Sequence, residues 1–380
     1  MFILNLVNSF IGKTGNIGMR TSHLITHLNH QKIANFSYSR GVVKSFSEAN
    51  KNMGLFGHIP RFLNAFRIYV NLNFNHRKYD IYLFEFFFKI TFKKVNYDKK
   101  IAHLWEMSPK IIRFLKKNDW IVILDVPIAP TETSKNLVNK FKDKIVLHPH
   151  QFNSDLEIES YKLADYVIAP SNFVKDEIIK LEIDRSKIIV VPFGSNIQNN
   201  KLKSFNKNYK SDGIDFCFAG SINKRKGIEF LLEAWNNKVF ENDRLHLCGR
   251  LYPEIKELLK KYDFKNIIIP GFIDTCDYFQ KCDVYIFPSL IEGSSKSIYE
   301  AMNSSLPSIV THNSGSVITD LEDGFIIDFA NAKAIKDRML EFKNDYSLIE
   351  KMGTLAFQNS RKYSWDNYAE NVVKIYKNLT

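Results

Sequence analysis

Short apolar runs alternate with segments of helical periodicity along the whole chain. In the first half these runs predict strands at residues 1–7, 79–86, 100–105, 120–126, 144–149 and 166–171. Helical spacing of apolar positions predicts helices between them, for example over 18–28 and 109–117. In the second half the same pattern predicts strands at 214–221, 244–250, 266–272, 283–289 and 307–311, and helices at 227–235, 255–262 and 297–302. This order is typical of α/β proteins with parallel sheets.

Residues 191–213 interrupt the alternation, because polar and turn-forming residues dominate there. We therefore predict a domain boundary near residue 195, with a Rossmann-like N-terminal domain over 1–194 and a second Rossmann-like domain over 195–362. A chain of 380 residues is long enough for two such domains, each with its own core.

The chain has a net charge of +12. An excess of this size predicts an anionic partner, namely nucleic acid, an acidic membrane surface or a phosphorylated substrate. A lysine-rich composition without any such partner would give the same excess.

No apolar run reaches the roughly 18 residues of a spanning helix, and the opening residues lack the basic region and cleavage site of a signal peptide. We therefore expect a cytoplasmic protein.

Two glutamates, Glu292 and Glu300, flank a serine-rich loop between a predicted strand and a predicted helix. The carboxyl edge of such a sheet is where open α/β folds bind ligands, and a helix N-terminus favours a phosphate group. The two carboxylates could hold hydroxyl-bearing rings on either side of a diphosphate. Alternatively, Ser297 and Glu300 fit a capping box, in which the serine is the N-cap and the glutamate reaches back to its amide.

A second strand-to-helix turn contains Gly220 and Ser221 and is followed by Arg225 and Lys226. Cations at a helix start can neutralise a diphosphate, although an isolated basic loop is more often a solvated one. These residues open the second domain, and the glutamate loop follows in the same predicted sheet.

The N-terminal glycine turn, with Gly12 and Gly15, fits neither a P-loop, which would need glycine where Val7 stands, nor a G-x-G-x-x-G fingerprint. It is interpreted as a glycine turn that faces a cleft.

The chain contains no Asp-x-Asp and no histidine and carboxylate cluster with metal-ligand spacing, so no metal or other cofactor is expected.

Residues 60–79 are rich in aromatic and basic side chains. Phe62, Phe66 and Tyr69 have helical spacing, and the cations beside them are Arg61, Arg67, Arg77 and Lys78. Such a helix could lie on an anionic bilayer as a peripheral contact. An ordinary core helix with a solvated face would show the same pattern.

The order of motifs over some 200 residues resembles glycosyltransferase family 4, the group 1 transferases, which have the two-domain GT-B fold. The resemblance includes "GS…RKG…LLEAW", "LCGR", "IIPGFI", "DVYIFPSLIEGSSKSIYEAMNSSLPSIVT" and the final "YSWDNYAENVVKIYKNL". It implies retention of anomeric configuration without a bound metal, with the nucleotide-sugar as a substrate. It also implies that a C-terminal helix over 363–380 packs back on the N-terminal domain.

The resemblance further implies roles for individual residues. Arg225 and Lys226 would bind the donor diphosphate, Glu292 the donor sugar and Glu300 the ribose. The serine loop would meet the distal phosphate and the loop around Phe272 the base. The full expected donor site is Gly12, Gly15, Gly220, Ser221, Arg225, Lys226, Phe272, Glu292, Gly293, Ser294, Ser295, Lys296, Ser297 and Glu300.

Three departures from the family pattern stand out. Residues 293–296 are Gly-Ser-Ser-Lys where many members have Gly-Phe-Gly-Leu, and Ser305 replaces a glycine two residues before a proline. The first-domain histidine of many members has no clear counterpart. His103, Glu106 and Asp125 are candidates, and Asp125 is preferred as the fourth catalytic residue beside Arg225, Lys226 and Glu292. A buried helix-capping aspartate would look the same.

The predicted function is transfer of a sugar from a nucleotide-sugar to a glycan or lipid-linked acceptor in polysaccharide or lipopolysaccharide assembly. Three alternatives remain: a sugar-nucleotide epimerase of the same architecture, a catalytically silent nucleotide-binding relative, and a basic nucleic-acid-binding protein. No nucleic-acid motif is recognisable, so nucleic acid is not the expected partner.

Overall fold

The computed structural model describes residues 1–12, 16–43, 50–59, 62, 65–66, 69–70, 76–141, 154–196, 201–235, 238–261 and 266–379. The chain divides into two compact units. Unit 1 comprises Met1–Lys135, His148–Val191 and Trp365–Thr380, and unit 2 comprises Asn136–Leu147 and Pro192–Ser364. The last segment of the chain therefore belongs to unit 1.

The regular elements alternate between strands and helices. The strands are β1 Phe2–Ile11, β2 Ala34–Val42, β3 Asn50–Asn52, β4 Lys100–Leu104, β5 Ile121–Asp125, β6 Tyr166–Ala169, β7 Ile188–Val190, β8 Asp215–Ala219, β9 Arg244–Cys248, β10 Ile267–Gly271, β11 Val284–Phe287, β12 Ser308–Thr311 and β13 Gly324–Ile327. The α-helices are α1 Asn16–His30, α2 His76–Thr91, α3 Pro109–Lys116, α4 Thr131–Lys140, α5 Ser154–Leu163, α6 Asn172–Ile179, α7 Tyr209–Asp212, α8 Ile228–Ala234, α9 Pro253–Lys261, α10 Thr275–Phe279, α11 Lys296–Asn303, α12 Ala332–Asn344, α13 Ser347–Ser360 and α14 Trp365–Asn378.

Unit 1 is built on a parallel sheet whose seven described strands lie in the order β3-β2-β1-β4-β5-β6-β7. In register, Ile3 of β1 faces Asn35 of β2 on one side and Ile101 of β4 on the other. The inner strands are buried on both faces, which explains their nearly continuous apolar sequences. Helix α14 packs against α1, where Trp365 stacks on His23 with ring centroids 5.4 Å apart.

Unit 2 contains a second parallel sheet, with six described strands in the order β10-β9-β8-β11-β12-β13. Strand β8 lies between β9 and β11: the chain runs from β8 to β9 and β10 on one side and then crosses to β11, β12 and β13 on the other. The carboxyl ends of β8 and β11 therefore flank a topological switch point, where open α/β sheets bind ligands. The two parallel sheets with their helices confirm the predicted α/β class.

The strand predicted at residues 79–86 is wrong, because this segment belongs to α2. Its aromatic residues favour a strand, but Ile81, Phe84 and Phe88 follow a helical spacing and are all buried. Tertiary packing of that face overrides the local propensity. The strand predicted at 144–149 lies outside the described residues.

Candidate functional site

The candidate site lies at the carboxyl ends of β8 and β11 in unit 2. These strands pair directly, with Tyr285 opposite Cys217, so the loops that follow them emerge at the same edge of the sheet. The loop after β8 leads through a short 3-10 helix, Lys224–Lys226, into α8, and the loop after β11 leads into α11. Strand pairing thus joins the two motifs that the sequence shows as separate.

Glu292 is the centre of this site. Its carboxylate pairs with the Arg225 guanidinium, and its Oε1 lies 2.5 Å from Lys226 Nζ. Ser289 Oγ donates to the same oxygen at 3.0 Å. The Glu292 and Lys226 side chains are only 12% and 11% exposed, so these charges interact with little screening by water. Two cations therefore share one carboxylate, which leaves the cluster with a net positive charge.

The environment changes the protonation equilibria of both partners. Burial lowers the pKa of Lys226 to about 8, because desolvation disfavours its charged form and the nearby Arg225 adds repulsion. Burial alone would raise the pKa of Glu292, but the cations of Lys226 and Arg225 outweigh burial and lower that pKa. Perturbed groups of this kind, clustered at a sheet edge, are typical of functional sites.

The two loops approach each other closely at Gly227. This residue has φ +71°, and a Cβ there would lie 1.9 Å from the Pro288 carbonyl oxygen. Leu290 N also donates to Arg225 O at 3.0 Å. Glycine is therefore required by both the backbone conformation and the contact, and the contact holds Arg225 beside the Glu292 loop.

Glu300 lies in the second turn of α11, and the capping-box interpretation of this residue is wrong. The N-cap is Ser295, which makes no side-chain cap hydrogen bond, and Ser297 lies inside the helix. Glu300 instead pairs with Lys296, with 2.7 Å between Oε1 and Nζ. The Glu300 side chain is 12% exposed, and its carboxylate is paired with the cation that departs from the family pattern.

The serine side chains of the loop are tied to the sheet and to α11. Ser297 Oγ accepts from Tyr285 OH at 2.7 Å and lies 3.1 Å from Ser295 Oγ. Ser294 Oγ bonds to Tyr299 OH, and Gly293, between Glu292 and Ser294, is buried. The hydroxyl groups therefore fix the shape of the loop, and Lys296, 46% exposed, is its outward-facing charge.

Three further residues of the expected donor site lie at the same edge of this sheet. Gly220 and Ser221 directly follow β8, and Gly220 N donates to Cys248 O at 2.9 Å. Phe272 follows β10, the edge strand two positions from β8, and is 96% exposed. An exposed ring in this place offers a flat apolar face to a ligand.

Gly12 and Asp125, which the sequence also proposed, belong to unit 1. Gly12 follows β1 with φ +78°, and its amide donates to Gly18 O at 3.0 Å. Gly15 lies outside the described residues.

Asp125 is enclosed rather than open to a ligand, with 1% of its surface exposed. Its Oδ1 lies 2.5 Å from Arg20 Nη1, and Tyr368 OH of α14 donates to its Oδ2 at 3.1 Å. His103 Nε2 lies 3.3 Å from the same oxygen. Burial alone would raise the pKa of Asp125, but the Arg20 cation outweighs it and lowers the pKa. This placement argues against Asp125 as a group that contacts an acceptor.

The other two candidates for that role are also buried. Burial lowers the pKa of His103, whose Nδ1 bonds to Tyr376 OH. Glu106 accepts from Asn8 Nδ2 at 2.7 Å and from Arg77 Nη2 at 2.6 Å. Each of these polar groups is therefore engaged within unit 1.

The aromatic residues of the segment over 60–79 are exposed. Phe62, Phe66 and Tyr69 have exposed fractions of 72%, 57% and 89%, so the alternative of an ordinary core helix does not hold for them. Arg61 and Arg67 lie outside the described residues. Arg77 is not a free surface cation, because it pairs with Asp80 and Glu106.

Residues 213–345 match the family of glycosyl transferases group 1. The matched stretch is about a third of the chain. It contains the two loops of the candidate site, with Arg225, Lys226, Glu292 and Glu300.

The chain has relatives among curated proteins. An uncharacterized glycosyltransferase of Methanocaldococcus jannaschii is 27% identical over 222 residues, which cover 57% of this chain and 60% of the relative. The capsular polysaccharide biosynthesis glycosyltransferase CapM of Staphylococcus aureus is 27% identical over 226 residues, which cover 54% of this chain and 58% of the relative. The chain thus spans somewhat less than two thirds of the length of these relatives.

The chain is also similar to solved structures over its full length. The crystal structure of Anabaena Alr3699/HepE in complex with UDP-glucose is similar with a TM-score of 0.61 at 14% identity, and the similarity covers 100% of both chains. Together with the two parallel sheets, this similarity confirms the predicted GT-B fold.

Sequence reasoning missed several residues that build the candidate site in unit 2. Asn313 Nδ2 donates to Leu290 O at 2.9 Å, and Glu292 N donates to Asn313 O at the same distance. Thr311 Oγ1 donates to Ser289 O at 2.5 Å. Thr311 is the last residue of the neighbouring strand β12 and Asn313 follows that strand, so polar residues at the end of each strand were the signal that could have found them.

Ser305 shows how the chain accommodates one departure from the family pattern. It has φ +60°, in the left-handed region that favours the glycine of other members. Its Oγ accepts from Lys203 N at 3.1 Å, so a side-chain hydrogen bond offsets part of the backbone strain.

Within the described residues, no group of three or more His, Cys, Asp or Glu side chains is placed to hold a metal ion.

Proposed function

We propose that this protein is a retaining, metal-independent glycosyltransferase. It moves a sugar from a nucleotide-sugar to a glycan or lipid-linked acceptor in cell-surface polysaccharide or lipopolysaccharide assembly, at the cytoplasmic side of the membrane. The observation that carries the proposal is the buried cluster of Arg225, Lys226 and Glu292 at the switch point of unit 2, within the stretch that matches glycosyl transferases group 1. CapM, which acts in capsular polysaccharide biosynthesis, and HepE, which was solved with UDP-glucose, support the choice of pathway and donor class.

The donor diphosphate would bind to Arg225 and Lys226. In the free protein both cations are paired with the Glu292 carboxylate. A bound diphosphate would replace that carboxylate as their anionic partner, and Glu292 would be released. The released Glu292 would then accept hydrogen bonds from the donor sugar. Negative charge that develops on the leaving nucleotide would be stabilised by the same two cations, and such electrostatic terms are usually the largest in catalysis.

The nucleoside and the donor sugar would lie along the sheet edge on opposite sides of the diphosphate. Glu300 would accept from the ribose hydroxyls after it separates from Lys296, and Lys296 would then face the distal phosphate. The exposed ring of Phe272 would stack on the base.

A thermal-shift screen tests the donor site first. The purified chain is heated with UDP, GDP, ADP or CMP and their sugar conjugates, beside Lys226→Gln and a Lys260→Gln control, whose side chain is 62% exposed in an exposed ion pair. We expect one nucleotide class to stabilise the chain and the Lys260→Gln control equally and to lose its effect in Lys226→Gln. No shift with any nucleotide at millimolar concentration would contradict the proposal.

Turnover then separates the remaining alternatives. With the stabilising donor and an oligosaccharide acceptor pool, we expect a product whose anomeric configuration, read by NMR, matches the donor and whose formation is unaffected by EDTA. Binding without turnover would favour a silent nucleotide-binding relative, and C2 epimerisation without acceptor would favour an epimerase. A steeply salt-dependent affinity for any polynucleotide, with no nucleotide effect, would favour a nucleic-acid-binding protein.

A further inference from the structure

The outer face of α2 in unit 1 is aromatic and exposed. Tyr79, Tyr82, Phe86 and Ile90 have exposed fractions of 56%, 39%, 61% and 63%. Their spacing of three, four and four residues places them in one stripe along the helix. The opposite face of α2 packs into the core, so the exposed stripe is a second apolar surface on the same helix.

A cleft lies beside this stripe, between α2 and α3. It has a volume of about 460 Å³, and its apolar lining includes Tyr82, Phe86, Phe88, Ile111 and Phe114. Cavities of this size hold small apolar ligands or part of an acyl chain. An exposed aromatic stripe that continues into an apolar cleft is suited to an apolar partner.

One carboxylate lines the cleft, and its charge is already neutralised. Glu85 is 12% exposed and lies 3.2 Å from Lys110 Nζ, and its Oε1 accepts from Ser108 Oγ at 2.7 Å. Lys110 Nζ also lies 4.4 Å from the centre of the Tyr82 ring. The cleft therefore keeps its apolar character while a lysine stands at its rim.

The charges around the stripe are positive. Exposed lysines at its margins are Lys78, Lys89, Lys93, Lys94 and Lys110. The other acid of α2, Asp80, is 5% exposed and pairs with Arg40 and Arg77. A second copy of this chain would bring the same positive charge and be repelled, whereas an anionic lipid surface would be attracted.

We propose that this face, formed by the stripe on α2 and the α2–α3 cleft, binds the surface of an anionic membrane and takes one lipid acyl chain into the cleft. The aromatic rings lie at the level of the headgroups, and the lysines contact lipid phosphates from the margins. This proposal does not rest on the proposed transfer reaction, because it concerns a separate surface of unit 1 and can be measured without turnover.

A tryptophan placed in the stripe reports on the lipid directly. The four native tryptophans, Trp105, Trp120, Trp235 and Trp365, are all at least 95% buried, so Phe86→Trp adds one distinguishable exposed emitter. The full chain is mixed with phosphatidylcholine vesicles that contain 30 mol% phosphatidylglycerol, with and without brominated acyl chains. We expect a blue shift of the added emission and its quenching by the bromine atoms. Binding without quenching would overturn the acyl-chain assignment.

Vesicle co-sedimentation measures the contribution of the face. We expect Phe86→Ser combined with Ile90→Ser to weaken binding at least about tenfold, and Lys89→Gln combined with Lys94→Gln to weaken it about tenfold or more at low salt. Leu321→Ser, which removes a 61% exposed leucine from unit 2, is the matched control and should bind as the unchanged chain does. Circular dichroism confirms that each variant is folded.

Three results would contradict parts of the membrane proposal. If the unchanged chain does not bind anionic vesicles, or if the stripe variants remain folded and bind as tightly as the Leu321→Ser control, the membrane assignment is wrong. Equal binding to pure phosphatidylcholine vesicles would overturn the role of the lysines.

Discussion

Replacing Glu292 by glutamine should destabilise the free protein and strengthen its binding of UDP. Removing one partner of a buried ion pair costs about 3–5 kcal/mol, because the remaining charge is buried without compensation. Here Arg225 is 23% exposed and partly solvated, and glutamine keeps the shape of the side chain. We therefore expect a loss of about 2 kcal/mol, below the full range for buried pairs.

Glu292→Gln should also raise the affinity of the protein for UDP. In the unchanged chain the Glu292 carboxylate competes with a diphosphate for Arg225 and Lys226, and in the variant this competition disappears. A gain of 1.4 to 2 kcal/mol corresponds to UDP binding that is about ten to thirty times tighter. Transfer of sugar should nevertheless decrease, because the carboxylate proposed to contact the donor sugar is gone.

Urea unfolding and UDP titration by calorimetry measure the two effects. Glu257→Gln is the matched control, since that glutamate pairs with Lys260 at 2.8 Å and is 64% exposed, and an exposed pair contributes at most about 1 kcal/mol. The reasoning is refuted if Glu292→Gln is as stable as the control, or if it binds UDP no more tightly than the unchanged chain.

Two further predictions concern Lys226 and Asp125. The pKa of Lys226 is lowered to about 8, so its protonated fraction falls from about nine tenths at pH 7 to about one tenth at pH 9, and UDP affinity measured by calorimetry should fall about tenfold over that range. Lys226→Arg, which stays protonated, should bind UDP with little change between these pH values, and a decrease as large as that of the unchanged chain would contradict the assignment. Asp125→Asn should cost about 3 kcal/mol in urea unfolding, because Arg20 would lose its buried partner, while UDP affinity stays within twofold. Full stability combined with loss of transfer would instead indicate that Asp125 contacts the acceptor.

The fold class and much of the donor site follow from local patterns. Buried parallel strands such as β5 and β11 have continuous apolar sequences, and glycines, serines and charges mark the turns after them. These features depend on a few neighbouring residues, so a reader of the sequence can recognise them. The predicted loops after β8 and β11 consequently contain the residues that the structure brings together.

Helix α2 shows where local pattern is insufficient. Its tyrosines and phenylalanines favour a strand by local propensity. The apolar residues at helical spacing pack into the core, however, and this packing stabilises a helix. The remaining aromatic residues stay exposed. The fate of Asp125 is a similar case. The end of a strand before a proline turn is typical of a functional carboxylate, but Arg20 and Tyr368 enclose it.

The sequence by itself determined the alternation of strands and helices that gives parallel sheets, and the residue types at the switch point. Only the tertiary structure decided that Glu292 holds Arg225 and Lys226 together, and that Asp125 is covered by a tyrosine 243 residues later in the chain. Periodicity reports which face of an element is buried, because that depends on near neighbours. Which distant elements meet depends on strand pairing and helix packing across the whole fold, which no local pattern contains.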